Sequence, residues 1–142
     1  MNENIRKNVD QLVEQFWKRG YLTVSRKFGT YLPEPSKVGN FDVDIIARYK
    51  KDYAIGLTLT EKDFQNVNLR EKLTYLATRH TKYTNKKVRL FVGVPVNCFK
   101  QAKILIEQLD HDVQQNIKLF RIVDKTLPSV RKNQSVPNVL FS

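Results

Sequence analysis

The 142-residue chain has a single cysteine, two histidines and no long uninterrupted run of hydrophobic residues. Cys98 has no second thiol with which to form an intrachain disulfide, and its position at a predicted helix start indicates a structural role. His80 and His111 are isolated, so the pattern contains no zinc site. Without a sufficient apolar run, the sequence predicts neither a signal peptide nor a membrane span, and we expect a cytoplasmic protein.

Acidic residues are scarce relative to basic ones: the chain has 14 Asp and Glu against 25 Lys and Arg, a formal net charge of +11. An excess of this size favours a polyanionic partner, and nucleic acid is the default. Five basic residues and one tyrosine fall within residues 79–89. Lysine and arginine contact phosphates, and Tyr83 either stacks on an exposed base or packs locally. A solvated basic loop, or one that meets an acidic protein, is the alternative.

Other basic residues add to this segment only if folding brings them onto the same face of the protein. Phosphate contacts carry no sequence information, so basic residues alone do not define the nucleic acid that is bound. The candidate nucleic-acid-binding residues are Arg79, Lys82, Tyr83, Lys86, Lys87 and Arg89 inside the segment, and Arg26, Lys27, Lys50 and Lys51 outside it.

Hydrophobic periodicity predicts one α/β domain over residues 1–123, followed by an extension over residues 124–142 that packs on the core or on a second copy. In the first helix, apolar residues recur at helical spacing from Ile5 to Trp17, and Gly20 ends it. The predicted order is αβββαβαβ: a helix over 3–19, a strand over 21–31 that is interrupted near Phe28 and Gly29, strands over 41–49 and 53–60, a helix over 63–80, a strand over 88–94, a helix over 97–110 and a strand over 117–123.

Residues 41–60 are predicted to form two strands joined by a polar turn. Alternation places the even-numbered residues 42–48 on one face of the first strand and the odd-numbered residues 43–49 on the other. The second strand has large apolar residues on one face and small uncharged ones, including Gly56 and Thr58, on the other. The hairpin therefore has acidic residues on its first strand and neither an acid nor a lysine on its second.

Three segments resemble the core of the PD-(D/E)XK nucleases and, within that superfamily, the archaeal Holliday-junction resolvases. They are a helix that closes on residues 18–21 and leads into a strand at 22–26, the strand at 43–47, and the strand that ends at 60–63. The resemblance covers about the first half of the chain, and the order of elements extends it to about residue 123. It implies a restriction-endonuclease-like mixed sheet flanked by helices, DNA as the substrate, Mg²⁺ or Mn²⁺ as the cofactor, and a homodimer.

The chain departs from this family at specific positions. Asp44 occupies the position of the family's strand aspartate, but Gly56 stands at the position of the second acid and Thr58 at that of the lysine. The acid of the family's first helix falls near Val9. A lone carboxylate holds a hard divalent ion weakly, and without the lysine no cation stabilises the developing charge. The expectation is a pseudoenzyme that binds nucleic acid, needs no cofactor and no longer cleaves.

Two other functions stay open. An active metal-dependent endodeoxyribonuclease needs relocated groups, with Asp44 and Lys62 as catalytic residues and Asp44 and Glu61 as metal ligands. A protein-binding scaffold subunit uses the fold alone. A purely structural interpretation makes Asp44 a polar residue on a half-exposed strand, paired with Arg48, and makes Asp63 the cap of the following helix.

Overall fold

The computed structural model describes residues 2–123, with side chains from residue 5 onward. The prediction that residues 124–142 pack on the core or on a second copy lies outside the described residues. Within the described part of the chain, no helix is both long enough and apolar enough to cross a membrane. The elements are α1 (Asn2–Lys18), β1 (Leu22–Arg26), β2 (Ile45–Tyr49), β3 (Asp52–Thr58), α2 (Leu69–Ala77), β4 (Arg89–Pro95), α3 (Phe99–Glu107), α4 (His111–Gln115) and β5 (Ile117–Ile122), with 3₁₀ helices at Glu61–Gln65 and Val96–Cys98.

The strands form one five-stranded mixed sheet in the order β1-β2-β3-β4-β5. β1, β2 and β3 are antiparallel neighbours, whereas β3, β4 and β5 run parallel. Parallel neighbours need a crossover connection, which α2 supplies between β3 and β4, and α3 and α4 supply between β4 and β5. The predicted α/β fold, a mixed sheet flanked by helices, is confirmed, and α4 is an element that the predicted order does not contain.

Two elements are shorter in the structure than the sequence predicts. The strand predicted over 21–31 ends with β1 at Arg26, and the interruption predicted near Phe28 and Gly29 coincides with a φ of 62° at Phe28, a left-handed conformation that a strand does not continue through. The helix predicted over 63–80 is divided into a 3₁₀ helix and α2. Between them the Asn66 side chain accepts a hydrogen bond from the Asn68 amide at 2.9 Å. This local turn competes with helix formation.

The hydrophobic core lies on both faces of the sheet. On one face, α1 packs an apolar stripe containing Leu12 and Phe16 against β2, β3, β4 and β5, and the Phe16 ring stacks on Phe91 with a centroid separation of 4.3 Å. α2 and α3 cover the other face through a second cluster that includes Leu73. Trp17, predicted as part of the buried stripe, is 70% exposed, because consecutive helical residues point about 100° apart.

The alternation predicted for residues 41–49 holds only from Ile45, where β2 begins. Val43 packs into the cluster on the α2 side of the sheet, whereas Ile45 packs into the cluster on the α1 side, so the prediction that they share a face is wrong. The break falls at Asp44, which forms a bend and whose amide donates to the Gly56 carbonyl at 2.9 Å. The bend directs the Asp44 carboxylate to the end of β3.

Candidate functional site

The first candidate site surrounds the carboxylate of Asp44 at the carboxyl end of β3. Asp44 is 6% exposed, and its Oδ2 accepts hydrogen bonds from the Thr58 amide at 2.7 Å and the Thr58 hydroxyl at 2.9 Å. The Lys27 ammonium lies 3.6 Å from Oδ1. The interpretation of Asp44 as a half-exposed residue paired with Arg48 is wrong, because the bend turns this carboxylate toward β3 and Lys27. Thr58 therefore binds the aspartate directly through both its amide and its hydroxyl.

Gly56 explains why no second carboxylate projects beside Asp44. A Cβ atom added at this residue would lie 2.8 Å from Ile45 Cβ and 2.8 Å from Phe16 Cε2, closer than packed carbon atoms approach. The space beyond Gly56 is filled by the aromatic ring that α1 places against the sheet. An acid at this position is thus excluded sterically as well as missing from the sequence.

The residues around Asp44 do not fit a divalent ion. Among the residues that the structure describes, no three His, Cys, Asp or Glu side chains group closely enough to hold a metal. Glu61 and Lys62, the candidates for relocated groups, are exposed on the first 3₁₀ helix. Asp63 does not cap α2. Its carboxylate accepts hydrogen bonds from the amide and hydroxyl of Thr60, at 2.6 and 3.1 Å, and so caps the N-terminus of that 3₁₀ helix instead. Asp44 remains a single carboxylate that already has protein partners.

The pKa values of Cys98 and Tyr21 are shifted, and the causes of the shifts show which charged residues lie near them. Burial raises the pKa of the Cys98 thiol, and the negative charge of Glu61 raises it further, so this cysteine stays protonated and buried in the core. Burial also raises the pKa of Tyr21, and the positive charge of Arg89 opposes that rise. Arg89 therefore lies near Tyr21, on the α1 side of the sheet, because it shares its face of β4 with Phe91.

The second candidate site is an open groove at the opposite end of the β2–β3 hairpin. It has a volume of about 590 Å³ and runs between the hairpin and the segment that precedes β4. Its lining begins at Ile46, two residues from Asp44, and strand geometry places its far part at Tyr53 about 17 Å from the Asp44 site, five residues from Thr58 along β3 at about 3.3 Å each. Its floor is formed by Val38, Ile46, Tyr53, Ile55 and Val88, and its rim carries Arg48, Lys50, Lys51, Arg79 and Lys82. We call it the basic groove.

The hairpin wall of the basic groove ends in the tight turn between β2 and β3. Tyr49 pairs with Asp52, so Lys50 and Lys51 are the two residues of the turn. Lys50 has a φ of 56°, a conformation that glycine adopts without strain and that costs other residues roughly 1–2 kcal/mol. Both ammonium groups are carried on exposed residues that line the groove.

The other wall is a closed turn rather than a loose loop. His80 and Lys87 form an isolated β-bridge, the Thr81 amide donates to the Lys86 carbonyl at 2.8 Å, and the Lys86 amide donates to the Thr81 hydroxyl at 2.9 Å. Tyr83 lies at the tip of this turn and is 94% exposed. The Lys86 ammonium reaches across to Asp52 Oδ1 at 3.5 Å, which links the turn to the tip of the hairpin. We call residues 79–87 the basic turn.

Contacts made by Arg79 and Asn116 hold the base of the basic turn. The Arg79 guanidinium stacks on the Tyr75 ring, 3.7 Å from its centroid, and Arg79 Nε donates to the Tyr75 carbonyl at 2.8 Å. Asn116 is 3% exposed, and its amide group donates to the carbonyls of Ala77 and Val88, both at 2.7 Å. One side chain therefore joins the end of α2 to the residue before β4, which are the two ends of the turn.

The structure brings only some of the predicted nucleic-acid-binding residues together. The basic groove is lined by five of them: Lys50, Lys51, Arg79, Lys82 and Tyr83. The exposed Lys87 lies beside it in the basic turn, where Lys86 is paired with Asp52. The other three lie elsewhere, because Arg26 is paired with Asp10 of α1, Lys27 with Asp44, and Arg89 faces the α1 side.

Three residues that build the groove are not among the predicted site residues. Arg48 lines its rim on the same face as Ile46, which the alternation of residues 42–48 predicts, although the sequence also offers Asp44 as its partner. Thr81 shapes the basic turn and Asn116 holds its base, and neither has a sequence pattern that separates it from an ordinary surface residue. Their roles depend on contacts between segments that only the fold brings together.

The protein is therefore an α/β protein with a five-stranded mixed sheet, and its second candidate site is a basic groove with an apolar floor. A scan of the chain against protein-family models found no match, and a search of curated proteins found no similar sequence. The chemistry of the two candidate sites is therefore the basis for assigning a function.

Proposed function

We propose that the protein binds nucleic acid through the basic groove and does not cleave it. The observation that supports this best is the composition of the groove: its rim has five basic side chains, and no acidic residue lines it within the part of the chain that the structure describes. Lysine and arginine at this density attract phosphates and release counterions on binding. The net charge of +11 acts in the same direction over longer distances.

The strained turn gives the proposal independent support. Lys50 keeps a long charged side chain where glycine would avoid the strain of a φ of 56°. Strain of this kind is known from functional sites, and a ligand contact by Lys50 agrees with it. Lys51 follows it and lines the same groove.

The lack of cleavage in this proposal follows from the Asp44 site. Its carboxylate is already shared between Thr58 and Lys27, and Phe16 fills the space beside Gly56. We propose that the chain is a degenerate relative of the PD-(D/E)XK nucleases, a cytoplasmic protein that binds DNA in preference to RNA and uses no metal cofactor. The retained position of Asp44 and the mixed sheet agree with that origin.

Fluorescence anisotropy with a labelled DNA strand, and with the same strand annealed to its complement, tests the binding. The variant Lys50→Glu/Lys51→Glu/Lys82→Glu reverses three charges of the groove, and Lys100→Glu/Lys103→Glu/Lys118→Glu reverses three exposed charges outside it. Both variants have the same net charge. We expect the groove variant to lose at least about tenfold in affinity, about 1.4 kcal/mol, and the control variant to lose much less.

The salt dependence of the same titrations separates a site from general attraction. Between about 50 and 200 mM salt, each phosphate contact of a single strand contributes about 0.7 to the slope of log affinity against log salt. Loss of three contacts therefore reduces the slope by about 2. Equal losses in both variants would mean that net charge, and not the groove, determines binding, and no binding by the unmodified protein would disprove the proposed function.

Incubation of the protein with branched, duplex and single-stranded DNA in Mg²⁺ or Mn²⁺ tests the absence of cleavage. We expect no products beyond those formed by the variant Asp44→Ala, which serves as the control for contaminating nucleases. Cleavage that disappears in Asp44→Ala would contradict this part of the proposal and favour an active endonuclease.

A further inference from the structure

The floor of the basic groove has a chemistry that phosphate binding does not require. Ile46, Ile55 and Val88 lie beneath the ring of lysines and arginines, and Tyr53 adds an aromatic side chain. Phosphates make charge-assisted hydrogen bonds and gain nothing from an apolar surface. The ligand that fits both parts of the groove carries negative charge on one side and a flat apolar surface on the other.

Tyr83 supplies a second apolar surface at the mouth of the groove. Its side chain is 94% exposed at the tip of a turn held by Thr81, so the ring has no packing role in the described structure that would account for it. Aromatic rings presented to solvent beside basic groups are platforms on which nucleic-acid bases stack. The turn places this ring next to the floor and not on the far side of the protein.

From these observations we infer that the basic groove takes unpaired bases of single-stranded nucleic acid, with the phosphates on its rim, a base on its floor and Tyr83 stacked on a base. The inference rests on the proposed function and adds the class of substrate. The volume of about 590 Å³ is in the range of about 300–1,000 Å³ found for sites that enclose small organic groups. A base inside a duplex must first be unstacked and unpaired to enter such a site, whereas a base in a single strand is already free.

The positive charge continues beyond the groove, which favours a polymer over a free nucleotide. Lys87 is exposed on the basic turn outside the groove lining, and Lys86 beside it is held by an exposed ion pair to Asp52, which is weak and easily exchanged for a phosphate. A strand that leaves the groove along the basic turn therefore meets further phosphate contacts. A single nucleotide would leave these lysines unused.

A comparison of two strands tests the inference directly. One is a labelled DNA strand of about 12 nucleotides, a length within the range bound by single-strand sites, and the other is an abasic strand with the same number of phosphates. We expect the abasic strand to bind at least about fivefold more weakly, the lower limit for one stacked base, with an unchanged salt slope. The same strand annealed to its complement is expected to bind more weakly than the single strand.

Variants of Tyr83 separate stacking from charge. Tyr83→Ala is expected to weaken binding of the base-bearing strand by at least about fivefold and to leave binding of the abasic strand unchanged. Tyr83→Phe keeps the ring and is expected to retain the affinity. Because Tyr83 is exposed, neither change should alter the urea midpoint, which serves as the check that both variants are folded.

The possible failures are distinguishable. Equal binding of abasic and base-bearing strands, or tighter binding of the duplex, would overturn the inference. The proposed function would still stand if the groove variant bound nucleic acid more weakly than the control variant. If the charge reversals in the groove also had no effect on binding, the proposed function would be wrong, and the inference that rests on it would be wrong as well. An acidic peptide with a charge similar to that of the single strand is the last comparison. If the peptide bound more tightly than the strand, and if the groove variant weakened that binding, the inference would be overturned in favour of a protein partner.

Discussion

The two ends of the β2–β3 hairpin have opposite characters. At the carboxyl end of β3, Asp44 is buried, its Oδ2 accepts two hydrogen bonds from Thr58, and the Lys27 ammonium lies 3.6 Å from its Oδ1. At the other end, Lys50 and Lys51 project from a strained turn into a groove that no acidic residue lines among the residues described. Polar groups satisfied inside the protein contribute to folding, and polar groups left at the surface remain available to a ligand. This difference is the basis for our proposal that the first end supports the structure and the second supports binding.

Open α/β sheets usually bind ligands at the carboxyl ends of their strands. In this protein that end is closed by Phe16 and by the contacts of Asp44, and the groove lies at the amino end of β3 and β4. If the proposed nuclease ancestry holds, Lys50 and Lys51 at the hairpin tip lie about 17 Å or more from the position at which cleavage would occur. Loss of catalysis and retention of binding would then involve separate residues.

The largest effect is expected for restoring an acid at the closed end. Gly56→Glu places a Cβ 2.8 Å from Ile45 and Phe16 and buries a carboxylate with no partner. We expect a loss of more than about 4 kcal/mol in the free energy of unfolding, or a protein that does not fold. Urea denaturation followed by circular dichroism measures it. Gly56→Ala is the control, with an expected loss of about 1–3 kcal/mol; a stable Gly56→Glu protein that binds Mg²⁺ would show that the site is open.

The next effect concerns the carboxylate itself. Asp44→Ala removes the acceptor of two Thr58 hydrogen bonds and the charge beside Lys27, and we expect a loss of about 2–3 kcal/mol in the free energy of unfolding. Asp44→Asn keeps one acceptor oxygen and should lose less. Chemical denaturation measures both, and a loss below about 0.5 kcal/mol for the alanine variant would mean that Asp44 is not structural.

A smaller loss of stability is expected when the side chain that holds the base of the basic turn is removed. Asn116→Ala leaves the buried carbonyls of Ala77 and Val88 without their donor, and we expect a loss of about 2 kcal/mol. Because these carbonyls flank the basic turn, amide hydrogen exchange in residues 79–87 should accelerate more than exchange in α1. Gln115→Ala, at the exposed neighbouring position, is the control. Uniform acceleration throughout the protein would show that Asn116 has no particular role at the turn.

The smallest effect has opposite signs for stability and binding. Lys50→Gly relieves the left-handed strain at a φ of 56°, and we expect a gain of about 0.5–1 kcal/mol in the free energy of unfolding together with weaker binding of nucleic acid. Lys51 has no positive φ, so Lys51→Gly should weaken binding without the gain. Thermal denaturation and anisotropy give the two values for each variant. A destabilised Lys50→Gly protein would remove the argument from strain.

The sequence was sufficient to predict the layers of the fold and insufficient to predict the contacts at either site. The apolar run that became β4 and the periodicity of α1 report burial directly, so both were predicted within a few residues. The bend at Asp44 was not predicted, because it occurs together with hydrogen bonds to Gly56 and Thr58, twelve and fourteen positions away. Charge predicted a basic site, but which lysines share a face depends on strand register and on pairs such as Arg26 with Asp10. Such pairs carry no periodic signal.

The comparison between the two ends is tested most directly by measuring single-strand affinity for two variants side by side, at a temperature where both are folded. The groove variant Lys50→Glu/Lys51→Glu/Lys82→Glu should lose at least about tenfold in affinity and keep its stability. Asp44→Ala should lose about 2–3 kcal/mol of stability and keep its affinity within about twofold. If Asp44→Ala lost affinity as strongly as the groove variant, Asp44 would belong to the binding surface, and the division between a structural end and a binding end would be wrong.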